Sequence, residues 1–137
     1  MKIILLVEDN PNDQLLAIKA FERNNKEDRV IVAKDGEEAL DLLFKNKISP
    51  DMLLLDLKLP RISGFEILKQ IRDSRIYKTL PVIILSTSGE EQDLLKAYNL
   101  GCNSYIRKPV DFSEFITAVK DIRDYWLDLN EVPHLHA

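Results

Sequence analysis

The chain predicts a doubly wound α/β domain, a parallel five-stranded sheet with helices on both faces. Three observations lead there: five short runs of Val, Ile and Leu, amphipathic segments between them, and a capping residue at the head of each segment. Apolar runs without alternation mark strands buried on both faces, and apolar spacing of 3–4 residues marks helices that bury one stripe. Strict alternation of the two with short connections calls for right-handed crossovers and therefore a parallel sheet.

In chain order, Ile3 to Val7 reads as the first strand, and Asn10-Pro11 opens a helix whose inner face carries Leu15, Leu16 and Phe21. Val30 to Ala33 reads as the second strand, followed by a helix from Asp35-Gly36. Met52 to Leu55 forms the third, with a helix opening at Ser63-Gly64. Val82 to Leu85 forms the fourth, with a helix opening at Ser88-Gly89 and stopping at Gly101. Tyr105 and Ile106 form the fifth, and Asp111-Phe112 opens a last helix carrying Phe112, Phe115, Ile116, Val119, Ile122 and Trp126. Three residues after each cap stands an acid, Asp13, Glu38, Glu66, Glu91 or Glu114, suited to the orphan amides and positive dipole of a helix start. The domain is expected over residues 1–129, with a short polar tail from 130 to 137.

The 137 residues are 45% apolar with four glycines, enough for one core and unlike a disordered chain. A net charge of −4 with dispersed Lys and Arg supplies no basic surface for direct nucleic-acid binding. No apolar run approaches the roughly 18–20 residues that would cross a bilayer, and no secretory segment is evident. A single cysteine, Cys102, excludes an internal disulfide and reads as a small core residue, so a cytoplasmic location is expected. His134 and His136 stand in the tail, too far along to join a zinc site with the acids described next.

Ligands of such sheets bind beyond the carboxyl ends of the strands. There the sequence places Glu8 and Asp9 after strand one, Asp56 after strand three, Ser86 and Thr87 after strand four and Lys108 after strand five. Two carboxylates about 5 Å apart repel by roughly 3 kcal/mol at an effective dielectric of 20, so one ammonium cannot offset three acids. A hard divalent cation with oxygen ligands can, and Mg²⁺ typically adds phosphate oxygens to one or two carboxylates. A carboxylate can itself take up a phosphoryl group, and Asp56 is the best placed.

Four stretches, "LLVEDN", "LLLDLKLPRISGFEIL", "PVIILSTSG" and "GCNSYIRKPV", resemble the signatures of response-regulator receiver domains over nearly the whole chain. The spacings from Asp56 to Ser86 and to Lys108 agree with that family. The resemblance implies strand order 2-1-3-4-5, the flavodoxin-like (βα)5 arrangement, and phosphorylation of Asp56. It also implies Mg²⁺, or Mn²⁺ in its place, on Asp9 and Asp56, on the backbone carbonyl of Lys58 and through water on Glu8. Lys108 would contact the phosphoryl group across a cis Lys108-Pro109 bond, and Ser86, with Thr87 beside it as the less favoured candidate, would hydrogen-bond the attached phosphate. Tyr105 is either core packing or a residue that moves when Ser86 is drawn inward.

By the same resemblance the donor is a phosphohistidine on a sensor kinase or a phosphotransfer protein. The signal leaves through the face of the fourth helix, fifth strand and fifth helix to a downstream protein. The chain is expected to act as a stand-alone regulator, similar to those paired with phytochrome-type kinases. Its aromatic end, Tyr125, Trp126, Leu127 and Leu129, either covers its own domain or pairs across a homodimer. A haloacid-dehalogenase-like phosphatase would need an acid where Lys58 stands, and the four glycines form no nucleotide-binding loop. A degenerate receiver serving only as a scaffold is disfavoured because every expected site residue is present.

Overall fold

A computed structural model describes residues 1–24 and 27–133. Its elements follow the predicted alternation. They are β1 (Ile3–Val7), α1 (Pro11–Asn24), β2 (Arg29–Ala33), α2 (Gly36–Leu40), β3 (Met52–Leu55), α3 (Gly64–Asp73), β4 (Val82–Ser86), α4 (Glu91–Leu100), β5 (Ser104–Arg107) and α5 (Phe112–Arg123). Helices α2 and α5 each run on into a wider π-type turn, Asp41–Lys45 and Asp124–Leu129. The sheet is parallel in the order β2-β1-β3-β4-β5.

Alternate residues of each strand feed opposite cores. Leu5, Val7, Leu53, Leu55, Val82 and Ile84 pack under α2, α3 and α4. Ile4, Leu6, Met52, Leu54, Ile83 and Leu85 pack under α1 and α5. Strands β3 and β4 are buried throughout and β1 from Ile4 onward, whereas β2 and β5, expected to be buried on both faces, are largely half-buried. They are the edges of the sheet, covered from fewer directions. Leu15 and Phe112, expected on inner helix faces, are exposed; Leu16 carries that contact on α1 instead.

Four of the five expected caps form. Asn10 Oδ1 accepts from the amides of Asn12 and Asp13, and Asp35, Ser63 and Asp111 accept from those of Glu38, Glu66 and Glu114. The fourth helix differs: it starts at Glu91, with Glu90 at the cap position and no capping side chain. Ser88 is occupied elsewhere, its hydroxyl donating to Asp93 Oδ2 at 2.6 Å. Gly101, in a left-handed conformation at φ 101°, ends that helix as its sequence position suggested. Cys102 is a free, buried thiol, and burial pushes its pKa up. Among the described residues every peptide bond is trans, Lys108-Pro109 included, against the cis bond that the resemblance implied. No described helix is long and apolar enough to cross a membrane. The tail histidines lie outside the described residues.

Candidate metal and phosphoacceptor site

The site is assembled by register. Val7 and Leu55 are paired neighbours on β1 and β3, and the Asp56 amide donates to the Val7 carbonyl at 3.1 Å. The residues that follow, Glu8, Asp9 and Asp56, therefore leave the sheet side by side. The loop after β3 is held tight by Gly64, where a Cβ would come within 2.2 Å of the Asp56 carbonyl oxygen and 2.7 Å of Leu57 Cα. On the other side the Lys108 amide donates to the Ser86 carbonyl at 2.7 Å, which continues the β4–β5 ladder by one residue and sets Lys108 at the same sheet edge.

One oxygen from each of Glu8, Asp9 and Asp56 lies within 4.8 Å of the other two. Glu8 and Asp56 are buried and Asp9 is exposed, so the cluster opens to solvent on one side. The Lys108 ammonium donates to Glu8 Oε1 at 2.5 Å, Asp13 Oδ2 at 2.9 Å and Asp56 Oδ2 at 3.4 Å. Burial and then the charge of Asp56 raise the Glu8 carboxyl from 4.5 to about 7, although the Lys108 contact pulls it back. Burial also opposes the charge on Lys108, but hydrogen bonds to Glu8 and Asp13 outweigh it and hold the ammonium above its ordinary value. The cluster carries a surplus of negative charge, since Glu8, Asp9, Asp13 and Asp56 gather around one lysine. All-oxygen donors and that surplus fit a hard divalent cation.

The remaining candidates are placed as follows. Lys58 is exposed, and its amide points to Asp56 Oδ1 at 3.4 Å. Ser86 is fully buried at the end of β4, its hydroxyl accepting from the Ser88 amide at 3.2 Å, whereas Thr87 is exposed. Half-buried Tyr105 donates its hydroxyl to the Ser88 carbonyl at 2.8 Å. Pro109 is half-buried beside Lys108. Sequence reasoning missed two residues. Asp13 is read from sequence as a helix-start acid, and it is one, in the first turn of α1, but its carboxylate also reaches the Lys108 ammonium, a contact that no local spacing signals. Ser88 was read as a cap and instead links Ser86, Tyr105 and Asp93. A cleft of about 510 Å³ between Pro50, Pro81, Trp126 and Pro133 opens at the opposite edge of the sheet, remote from these acids.

Comparison with known proteins gives this geometry its context. The probable methanogenesis regulatory protein FilR2 of Methanothrix harundinacea is 42% identical over 135 residues, covering 96% of this chain and 87% of the relative. The crystal structure of the phosphorylated cyanobacterial phytochrome response regulator RcpA superposes with a TM-score of 0.91 at 37% identity, covering 96% of this chain and 98% of that one. The Mn²⁺-bound form of the response regulator Rcp1, a protein of Synechocystis, superposes with a TM-score of 0.89 at 32% identity, covering 97% of this chain and 99% of the other. The model of the response regulator receiver domain matches residues 4–120. With the 2-1-3-4-5 sheet and the acids at its carboxyl edge, this makes the chain a member of the response-regulator receiver family, a signalling domain of two-component systems.

Proposed function

We propose that this receiver takes a phosphoryl group on Asp56 in a reaction that requires Mg²⁺ or Mn²⁺. The observation that carries the reading is the meeting of Glu8, Asp9 and Asp56 oxygens within 4.8 Å, with the Lys108 ammonium 3.4 Å from Asp56 Oδ2. An Asp56 oxygen attacks phosphorus, the phosphorus–nitrogen bond of a phosphohistidine breaks, and an acyl phosphate forms. A divalent cation on Glu8, Asp9, Asp56 and the Lys58 carbonyl would neutralise charge on the phosphoryl oxygens. Lys108 holds a phosphoryl oxygen from the other side, and the Ser86 hydroxyl turns from the Ser88 amide to the attached phosphate.

That turn is also the route of the signal. Ser86, Ser88, Tyr105 and Asp93 are joined by hydrogen bonds, so a displaced Ser86 changes the loop that enters α4 and the face of α4, β5 and α5. Leu95 and Tyr98 of α4 and Tyr125 and Leu129 beyond α5 are exposed there and at the carboxyl end, which supports a protein target or a homodimer on these surfaces. The likeness to a phytochrome response regulator supports a histidine kinase of that type, or a phosphotransfer protein, as donor in the cytoplasm.

The test is incubation of the full chain with a small acyl-phosphate donor, with and without Mg²⁺, read by intact mass. One phosphoryl group is expected, dependent on the cation and absent from Asp56→Asn. An unlabelled wild type, or equal labelling of that variant, refutes the reading.

A further inference from the structure

We propose that Asp13 is a positioning residue for the phosphoryl transfer assigned to Asp56: its carboxylate holds the Lys108 ammonium on the α1 side of the site and keeps it from closing over the attacking oxygen. The inference rests on the reading of Asp56 as phosphoacceptor.

An ammonium has three donors, and Lys108 has three carboxylate acceptors. They are not equivalent. Glu8 and Asp13 lie at 2.5 and 2.9 Å, within or below the span of strong charge-assisted bonds, while Asp56 at 3.4 Å lies beyond it. Two anchors on the α1 side therefore hold the lysine close to Asp56 without engaging it fully. Removing Asp13 leaves three donors for two acceptors, and the ammonium then settles on Asp56 Oδ2 and draws charge from the carboxylate that must attack phosphorus.

The local structure reserves Asp13 for this task. In a capping box the acid three residues after the cap reaches back to the amide of the cap residue. Here the Asn10 amide points instead to Glu8 Oε2 at 3.2 Å, and the Asp13 side chain crosses to Lys108, 95 residues away. Asp13 also stands apart from the three carboxylates whose oxygens converge on one point.

The experiment compares the full chain with Asp13→Asn, which removes the charge and keeps the shape, and Asp13→Glu, which restores the charge. The first readout is the side-chain ¹H–¹⁵N signal of the Lys108 ammonium in metal-free protein, assigned by its loss in Lys108→Gln. The second is the rate of acyl-phosphate labelling at saturating Mg²⁺, together with the Mg²⁺ concentration for half-maximal rate. Asp13→Asn is expected to move the ammonium signal as the group re-seats between Glu8 and Asp56, and to slow labelling about tenfold, the lower end of the worth of one charged hydrogen bond, with the half-maximal Mg²⁺ concentration unchanged. Asp13→Glu recovers both signal and rate. If Asp13→Asn leaves the signal unmoved, or labels as fast as the wild type, the inference is wrong while the phosphoacceptor reading stands. Failure of the wild type itself to label overturns both.

Discussion

Glu8 makes metal-free stability depend on pH in an unusual direction. Its carboxyl rises from 4.5 to about 7 on folding, because burial and the neighbouring Asp56 penalise the charged form more than Lys108 repays. Below pH 4.5 the group is protonated in both states and costs nothing. As pH rises from 4.5 to 7 the unfolded chain releases the proton while the folded one retains it, so stability falls, and the full cost is present above pH 7. The interval at about 1.36 kcal/mol per pH unit sets a ceiling of about 3 kcal/mol. Urea unfolding in chelator at pH 5, 6, 7 and 8, followed by Trp126 fluorescence, measures it. The wild-type midpoint is expected to drop by about 1 M between pH 5 and 8 relative to Glu8→Gln, for an m-value of roughly 2–3 kcal/mol/M. Titrating groups that do not touch Glu8, the tail histidines among them, are common to both proteins and cancel in the difference. Parallel pH curves for the two would show that the Glu8 carboxyl is not held protonated, and that burial at this sheet edge is repaid in full by Lys108.

Further outcomes test the frame around the site. Tyr77 is buried and its hydroxyl lies 2.7 Å from the Leu43 carbonyl and 2.6 Å from that of Ile48, so Tyr77→Phe should cost about 1–3 kcal/mol by urea unfolding without altering phosphoryl uptake. Gly64→Ala forces a methyl against the backbone of Asp56 and Leu57; a loss of about 1–3 kcal/mol together with slower labelling is expected, and a variant that labels normally would show that this loop does not position Asp56. Arg123 is buried, pairs with Asp28, and contacts Asp128 Oδ2 at 2.6 Å. Arg123→Met should cost about 3–5 kcal/mol because it leaves Asp28 buried without that partner, and Asp28→Asn in the same chain should recover part of it in a double-mutant cycle.

The pattern of elements and the chemistry of their ends were legible in the sequence. Strand runs such as Met52 to Leu55, helix starts such as Asp35 and Ser63, and acids at the tips of β1 and β3 are local statements, set by side-chain periodicity and by the orphan amides of a helix start. Long-range pairing alone decided how those pieces meet. The register of Val7 on Leu55 brings Glu8 and Asp56 together. The pairing of β5 on β4 carries Lys108 to the edge where it meets Asp13, and Ser88 leaves its expected cap for Asp93. Edge position left β2 and β5 half-covered, and which neighbour lay over each helix left Leu15 and Phe112 exposed. Apolar periodicity says that a face seeks cover, and a carboxylate says that a charge seeks a partner. Neither names the partner, because that depends on residues tens of positions away whose approach is settled only when the whole sheet closes.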